Sequence, residues 1–105
     1  MNIEKIAKDL DFEIEDVMML LEVFLVTSKK SLENIFNAIE SEDYETIYKA
    51  AHSIKGSAAN LLLEDISEQA SNIEKNARNK ELVNYTKLGT KLESYITKIE
   101  KNKKI

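Results

Sequence analysis

The sequence predicts an all-α fold, an antiparallel up-down-up-down four-helix bundle with a short additional N-terminal helix. Three observations carry that prediction. Apolar residues recur at three- and four-residue spacing through every long segment. The 105 residues include no proline and only two glycines, Gly56 and Gly89. The polar stretches between periodic segments suit short turns, which set consecutive helices antiparallel.

Residues 2–10 come first and carry Ile3, Ile6, Ala7 and Leu10, a short amphipathic helix that caps the bundle or lies alongside it. Asp11 offers a stop, or a cap for the next helix. Residues 13–40 form the longest pattern, with Ile14, Val17, Leu21, Phe24, Leu32, Ile35 and Ile39 in one stripe and Ser28 as its gap. The first half of this helix has more apolar residues than one face needs: Met18, Met19, Leu20, Val23, Leu25 and Val26 spread around the cylinder. The first helix is expected to cover part of that surplus, and what stays exposed suits a partner.

Residues 41–43, SED, form a turn with Asp43 or Ser41 as the cap of the next helix, from about 43 to 60. Glu64 and Asp65 place negative charge where a further helix begins, favourable at the positive end of its dipole. That helix carries Ile66, Ala70, Ile73 and Ala77, and Asn79 punctuates it. The last helix is expected to take in Leu82, Tyr85, Leu88, Leu92, Tyr95, Ile96 and Ile99. Gly89 inside it costs about 1 kcal/mol relative to alanine, unless close helix packing uses the missing side chain.

Composition excludes several classes. The length fits one helical domain over residues 1–105. Without cysteine there is no disulfide, thiolate metal site or cysteine nucleophile, which fits a reducing, cytoplasmic location. The chain shows no signal peptide, and its longest apolar run, VMMLLEVFLV, is broken by Glu22 and too short for a bilayer, so no membrane role is expected. Net charge is −4 and only the tail, KIEKNKKI, is basic. That tail reads as a solvated, fraying helix end, and no nucleic-acid partner is expected. One histidine and no thiolate give no metal site, and no acidic cluster has a recognisable loop spacing.

The chemistry concentrates in residues 51–62, AHSIKGSAANLL, which hold the single histidine. At about 100° per residue, Ile47, Ala50, Ile54, Ala58 and Leu61 fall on one side of the third long pattern. His52 lies almost opposite, and Tyr48, Lys55, Gly56 and Ala59 share its face. An exposed imidazole offers a nucleophilic nitrogen when neutral. Lys55, one turn on, brings a cation to stabilise a negatively charged group arriving there. Gly56 at i+4 removes a side chain where something bulky must approach. These features describe a histidine that accepts a phosphoryl group while another protein docks over it.

Ala51, His52, Lys55 and Gly56, followed by SAANL and then by LEDISEQASNIEKNA, resemble the histidine-containing phosphotransfer (HPt) domain family. The resemblance implies that His52 is the phosphoacceptor, reacting through Nε2. It implies that Lys55 sits near the phosphoryl group and that Gly56 leaves room for the incoming domain. Glu74 stands where the family often places a glutamine or glutamate that holds the other ring nitrogen. The family's hallmark run, A-H-x-x-K-G-x-x-x-x-x-G, has its second glycine where this chain has Leu62, so the helix is expected to end differently there or to extend by part of a turn.

The partners implied are response-regulator receiver domains, a hybrid histidine kinase, or both, with the domain itself a monomer. Mg²⁺ and the acidic pocket would come with the receiver, and the domain would have no cofactor, ATP site or kinase activity of its own. Docking is expected to use Gly56, Ala59 and Tyr48 with exposed positions of the long helix, Met18, Met19 or Val23. Two alternatives stay open: the phosphoacceptor domain of a multidomain histidine kinase, and a non-catalytic helical interaction module.

Overall fold

The computed structural model describes residues 2–102. The chain forms α1 (Ile3–Leu10), α2 (Ile14–Ile39), α3 (Tyr44–Asn60), α4 (Glu64–Arg78) and α5 (Tyr85–Asn102), with no strand among the described residues. α2 to α5 make an antiparallel four-helix bundle in which α3 packs against α2 and α4, and α5 against α2 and α4. α1 lies across the end of the bundle where α3 turns into α4, beside Leu62, Leu63 and the last turns of α5.

The core forms where the apolar stripes meet. Val17, Leu21, Ile35, Ile47, Ile54, Ile73, Leu92 and Ile96 are its largest fully enclosed side chains. Ser28, the gap in the α2 stripe, is buried with its hydroxyl donating to the Leu25 carbonyl. Gln69 of α4 is buried and donates from Nε2 to the Leu88 carbonyl of α5 at 3.3 Å, and Ser67 Oγ donates to the Lys55 carbonyl at 3.2 Å. Gly89 fits the close packing of α5 on α2: a Cβ there would stand 2.8 Å from the Phe36 ring.

Helix starts obey local chemistry. Asn2 caps α1 through the Lys5 amide, and Asp43 caps α3 through the Thr46 amide at 3.2 Å. Asn84 accepts from the Lys87 amide at 3.0 Å, so α5 begins at Tyr85. Leu82, expected inside that helix, instead lies in the preceding loop and is 88% exposed. The cap three residues before Lys87 outweighed an apolar residue that happened to fall in period.

Helix ends share one device. Asp11, Glu42, Leu62 and Lys80 all adopt left-handed backbone, with φ of 57°, 53°, 58° and 53°. In each case the next residue donates back across a whole turn: Phe12 to Ala7, Asp43 to Ala38, Leu63 to Ala58 and Glu81 to Asn76, at 2.8–3.1 Å. This is the Schellman ending, which usually employs glycine. Among the described residues the chain builds it four times without one.

Leu62 therefore corrects the expectation for α3. The helix does not end differently; leucine takes up the conformation that suits glycine. Leu61 and Leu63 on either side are both buried, so the turn is pinned from both flanks while the Leu62 side chain stays 40% exposed. The left-handed conformation costs a side-chain-bearing residue about 1–2 kcal/mol.

The surplus on α2 divides between core and surface. Leu25 is buried and Met18 half-buried against the core, but Met19, Leu20, Val23 and Val26 are exposed. The eight-residue α1 spends its own apolar face, Ile3, Ile6 and Ala7, at the bundle end and leaves this surface open. The last three residues of the basic tail lie outside the described residues.

Candidate functional site

α3 buries Ile47, Ala50, Ala51, Ile54 and Ala58, which turns the opposite face outward. His52 stands on that face with its side chain 62% exposed. Across the groove, α4 buries Ile66, Gln69, Ala70, Ile73, Glu74 and Ala77. Glu74 thus comes to the α3 seam as a carboxylate only 7% exposed.

Three cationic or donor groups converge on that carboxylate. His52 Nδ1 lies 2.8 Å from Oε2, Lys55 Nζ donates to Oε1 at 2.6 Å, and Arg78 Nη2 donates to Oε2 at 3.0 Å. Burial pushes the Glu74 carboxyl upward, but hydrogen bonds from Lys55 and His52, with their charge, outweigh it and hold the group below the usual glutamate range. Glu74 is therefore ionised at neutral pH and can only accept. The His52 nitrogen facing it must carry the proton, so Nδ1–H donates to Oε2, and in the neutral ring the lone pair falls on Nε2. A buried carboxylate so compensated satisfies the rule that buried charge is paired.

The fold brings together most of the residues singled out from sequence. His52, Lys55 and Glu74 are joined by direct hydrogen bonds. Gly56 is exposed, and a Cβ built on it meets nothing within 4 Å, so the space above this turn is open. Ala59 is exposed one turn further. Tyr48 is half-buried and its ring lies under the Arg78 guanidinium at 4.9 Å, a cation–π stack. On α2, Met19 and Val23 are exposed, whereas Met18 is half-buried, so it belongs mostly to the core side.

Sequence reasoning missed Arg78. Its signal was present, since Arg78 is four residues after Glu74 and i,i+4 partners face each other on a helix. What it could not show is that Tyr48 of another helix holds the guanidinium in place. Among the described residues, no three His, Cys, Asp or Glu side chains come together as a metal site. No helix there is long and apolar enough to cross a membrane.

The arrangement can do one thing well. It presents a nucleophilic imidazole nitrogen to an open surface, with its tautomer fixed from behind and positive charge alongside.

Comparison with known proteins agrees with the geometry. The structure is similar to the crystal structure of histidine-containing phosphotransfer protein B (HptB) from Pseudomonas aeruginosa PAO1, with a TM-score of 0.78 and 22% identity over 92% of this chain and 82% of that one. At that identity the likeness speaks for the fold. No curated protein matches the chain significantly. The Hpt domain model matches residues 19–102, which takes in His52, Lys55, Gly56 and Glu74 and reaches into every helix of the bundle. Histidine phosphotransfer within a phosphorelay is the work of that family, and on this match the chain belongs to the Hpt domain family.

Proposed function

We propose that His52 accepts a phosphoryl group from the aspartate of one response-regulator receiver domain and passes it to the aspartate of another. The observation that carries this reading is the 2.8 Å hydrogen bond from His52 Nδ1–H to Glu74. It fixes the tautomer with Nε2 free and opposes the charge that develops on the ring.

The receiver docks over the open lane above Gly56. The Nε2 lone pair attacks phosphorus in line, the N–P bond forms as the P–O bond to aspartate breaks, and aspartate leaves as a carboxylate. Nδ1 keeps its proton throughout, so the ring becomes a phosphoimidazolium whose positive charge faces Glu74. Lys55 and Arg78 balance the carboxylate and set positive charge near the phosphoryl oxygens. The reverse reaction delivers the group to the second receiver. Mg²⁺ and the acidic pocket belong to the receiver, and the domain contributes no ATP site or kinase activity. The setting is the cytoplasm, where a monomer keeps the acceptor face open.

Docking extends onto α2. Phe36, which meets Gly89, marks the α5 side of that helix. Leu20 and Val23 stand about 160° and 140° around the cylinder from it, toward α3. The helices are antiparallel, so Val23 is about level with Asn60. Leu20 and Val23 thus lie on the α3 side of α2, level with the α3–α4 turn.

The test is transfer from receivers charged with acetyl phosphate. Wild type should take up an acid-labile, base-stable phosphate and His52→Gln should take up none. Uptake by His52→Gln, or no uptake by wild type from any charged receiver, would sink the reading.

A further inference from the structure

Arg78 is the looser of the two cations on Glu74. It is the last residue of α4, and its side chain is 59% exposed against 33% for Lys55. Its bond to Glu74 joins i,i+4 neighbours, and an exposed pair of that kind adds little against the freedom of a long side chain. The guanidinium is nevertheless seated over the Tyr48 ring, 4.9 Å from its centroid.

Helix register supplies the seat. His52 of α3 meets Glu74 of α4. Tyr48 lies one turn back from His52 on α3, and Arg78 one turn on from Glu74 on α4. The two helices run antiparallel, so both steps lead toward the same end of the bundle and the residues meet as the next rung. Tyr48 is half-buried and packed on the core, so its ring is fixed from below. The contact uses the ring face, not the hydroxyl.

This rung completes a charge balance. With a neutral imidazole, Glu74, Lys55 and Arg78 together carry one net positive charge. Phosphorylation adds one positive charge to the ring and about two negative charges on the phosphoryl oxygens, so the loaded cluster is close to neutral. That balance holds only while Arg78 stays. His52 Nδ1 and Arg78 Nη2 both bond to Oε2, so the guanidinium stands within two hydrogen-bond lengths of the ring. A guanidinium carries several N–H donors and spends one here on Glu74, which leaves others for an arriving anion.

Resting on the phosphotransfer reading, we infer that Tyr48 is a positioning residue for phosphorylation of His52. Its ring holds the Arg78 guanidinium beside the imidazole, where that cation offsets the charge of the incoming phosphoryl group. Tyr48 thereby has a task that needs no docked partner.

The test is labelling by phosphoramidate, a small donor that needs no docking surface. Its P–N bond breaks as the bond to His52 Nε2 forms, and its nitrogen leaves as ammonia. Tyr48→Phe keeps the ring face and should label at the wild-type rate. Tyr48→Leu keeps an apolar side chain on the core but loses the stack, and should label about threefold more slowly. Arg78→Gln should be at least as slow, and adding Tyr48→Leu to it should change nothing further, because the second residue acts only through the first. A wild-type rate in Tyr48→Leu, or equal slowing with and without Arg78, overturns the inference and leaves the phosphotransfer reading standing. A Tyr48→Phe rate as low as that of Tyr48→Leu also overturns it. Absence of label from wild type overturns both.

Discussion

His52 donates its Nδ1–H to Glu74 Oε2 at 2.8 Å, from α3 to α4 and across 22 residues of sequence. An exposed ring on one helix is thereby aimed by a buried carboxylate on the next. The carboxylate is in turn held by Lys55 and Arg78, so no member of the cluster is set by its own helix alone.

Glu74→Gln keeps an acceptor for Nδ1–H but removes the charge. A hydrogen bond to a charged group exceeds a neutral one by about 1 kcal/mol, which is about fivefold in rate. Phosphoryl uptake from phosphoramidate should slow by about that factor in Glu74→Gln. Glu74→Ala, which leaves the ring unoriented and Lys55 without its carboxylate, should slow it further. Equal rates in all three proteins would remove Glu74 from the chemistry.

The same carboxylate makes stability depend on acid. Its folded value lies below the unfolded one, because the Lys55 and His52 interactions outweigh the opposing effect of burial. A depressed carboxylate stabilises the fold above its unfolded value of about 4.3, and that contribution is lost as pH falls through the folded value. Urea melts below about pH 4.3 should therefore show wild type losing stability more steeply than Glu74→Gln. Parallel slopes would contradict the lowered value.

Helix endings offer a separate test. Lys80 is exposed and left-handed at the end of α4. Glycine there removes a steric cost of about 1–2 kcal/mol and adds back unfolded-chain entropy of about 0.4–1 kcal/mol. Lys80→Gly should raise unfolding free energy by about 0.5–1 kcal/mol in urea titration. A loss of stability would show that the Lys80 side chain contributes more than the backbone conformation costs.

Gly89 tests the opposite kind of glycine. Gly89→Val places a branched side chain against Phe36, where even a Cβ would stand at 2.8 Å. Overpacking of this kind costs about 1–3 kcal/mol, and valine's helix propensity offsets only a few tenths. The variant should be destabilised by at least about 1 kcal/mol, and Phe36→Ala in the same chain should recover part of the loss.

Much of this was legible in the sequence because it is local. The bundle follows from period, and His52, Lys55 and Gly56 share a face by counting residues along one helix. Glu74 was reached through resemblance to a family, since nothing in residues 64–78 says that this carboxylate turns inward to a histidine. The Arg78–Tyr48 stack joins two helices and left no pattern in either. Leu82 misled because an apolar residue in period outweighed Asn84, the cap that starts α5. Leu62 misled because backbone preference was weighed alone, whereas burial of Leu61 and Leu63 decides the turn.

In the proposed function, phosphotransfer at His52 depends on Glu74 holding Nδ1–H so that Nε2 receives the phosphoryl group. Phosphorus and nitrogen NMR of the phosphoramidate-labelled, ¹⁵N-labelled protein reads the site of attachment directly. The expected product is one phosphohistidine, bonded through Nε2 of His52, with the proton retained on Nδ1. Phosphate on Nδ1, or on any residue other than His52, would refute that role for Glu74.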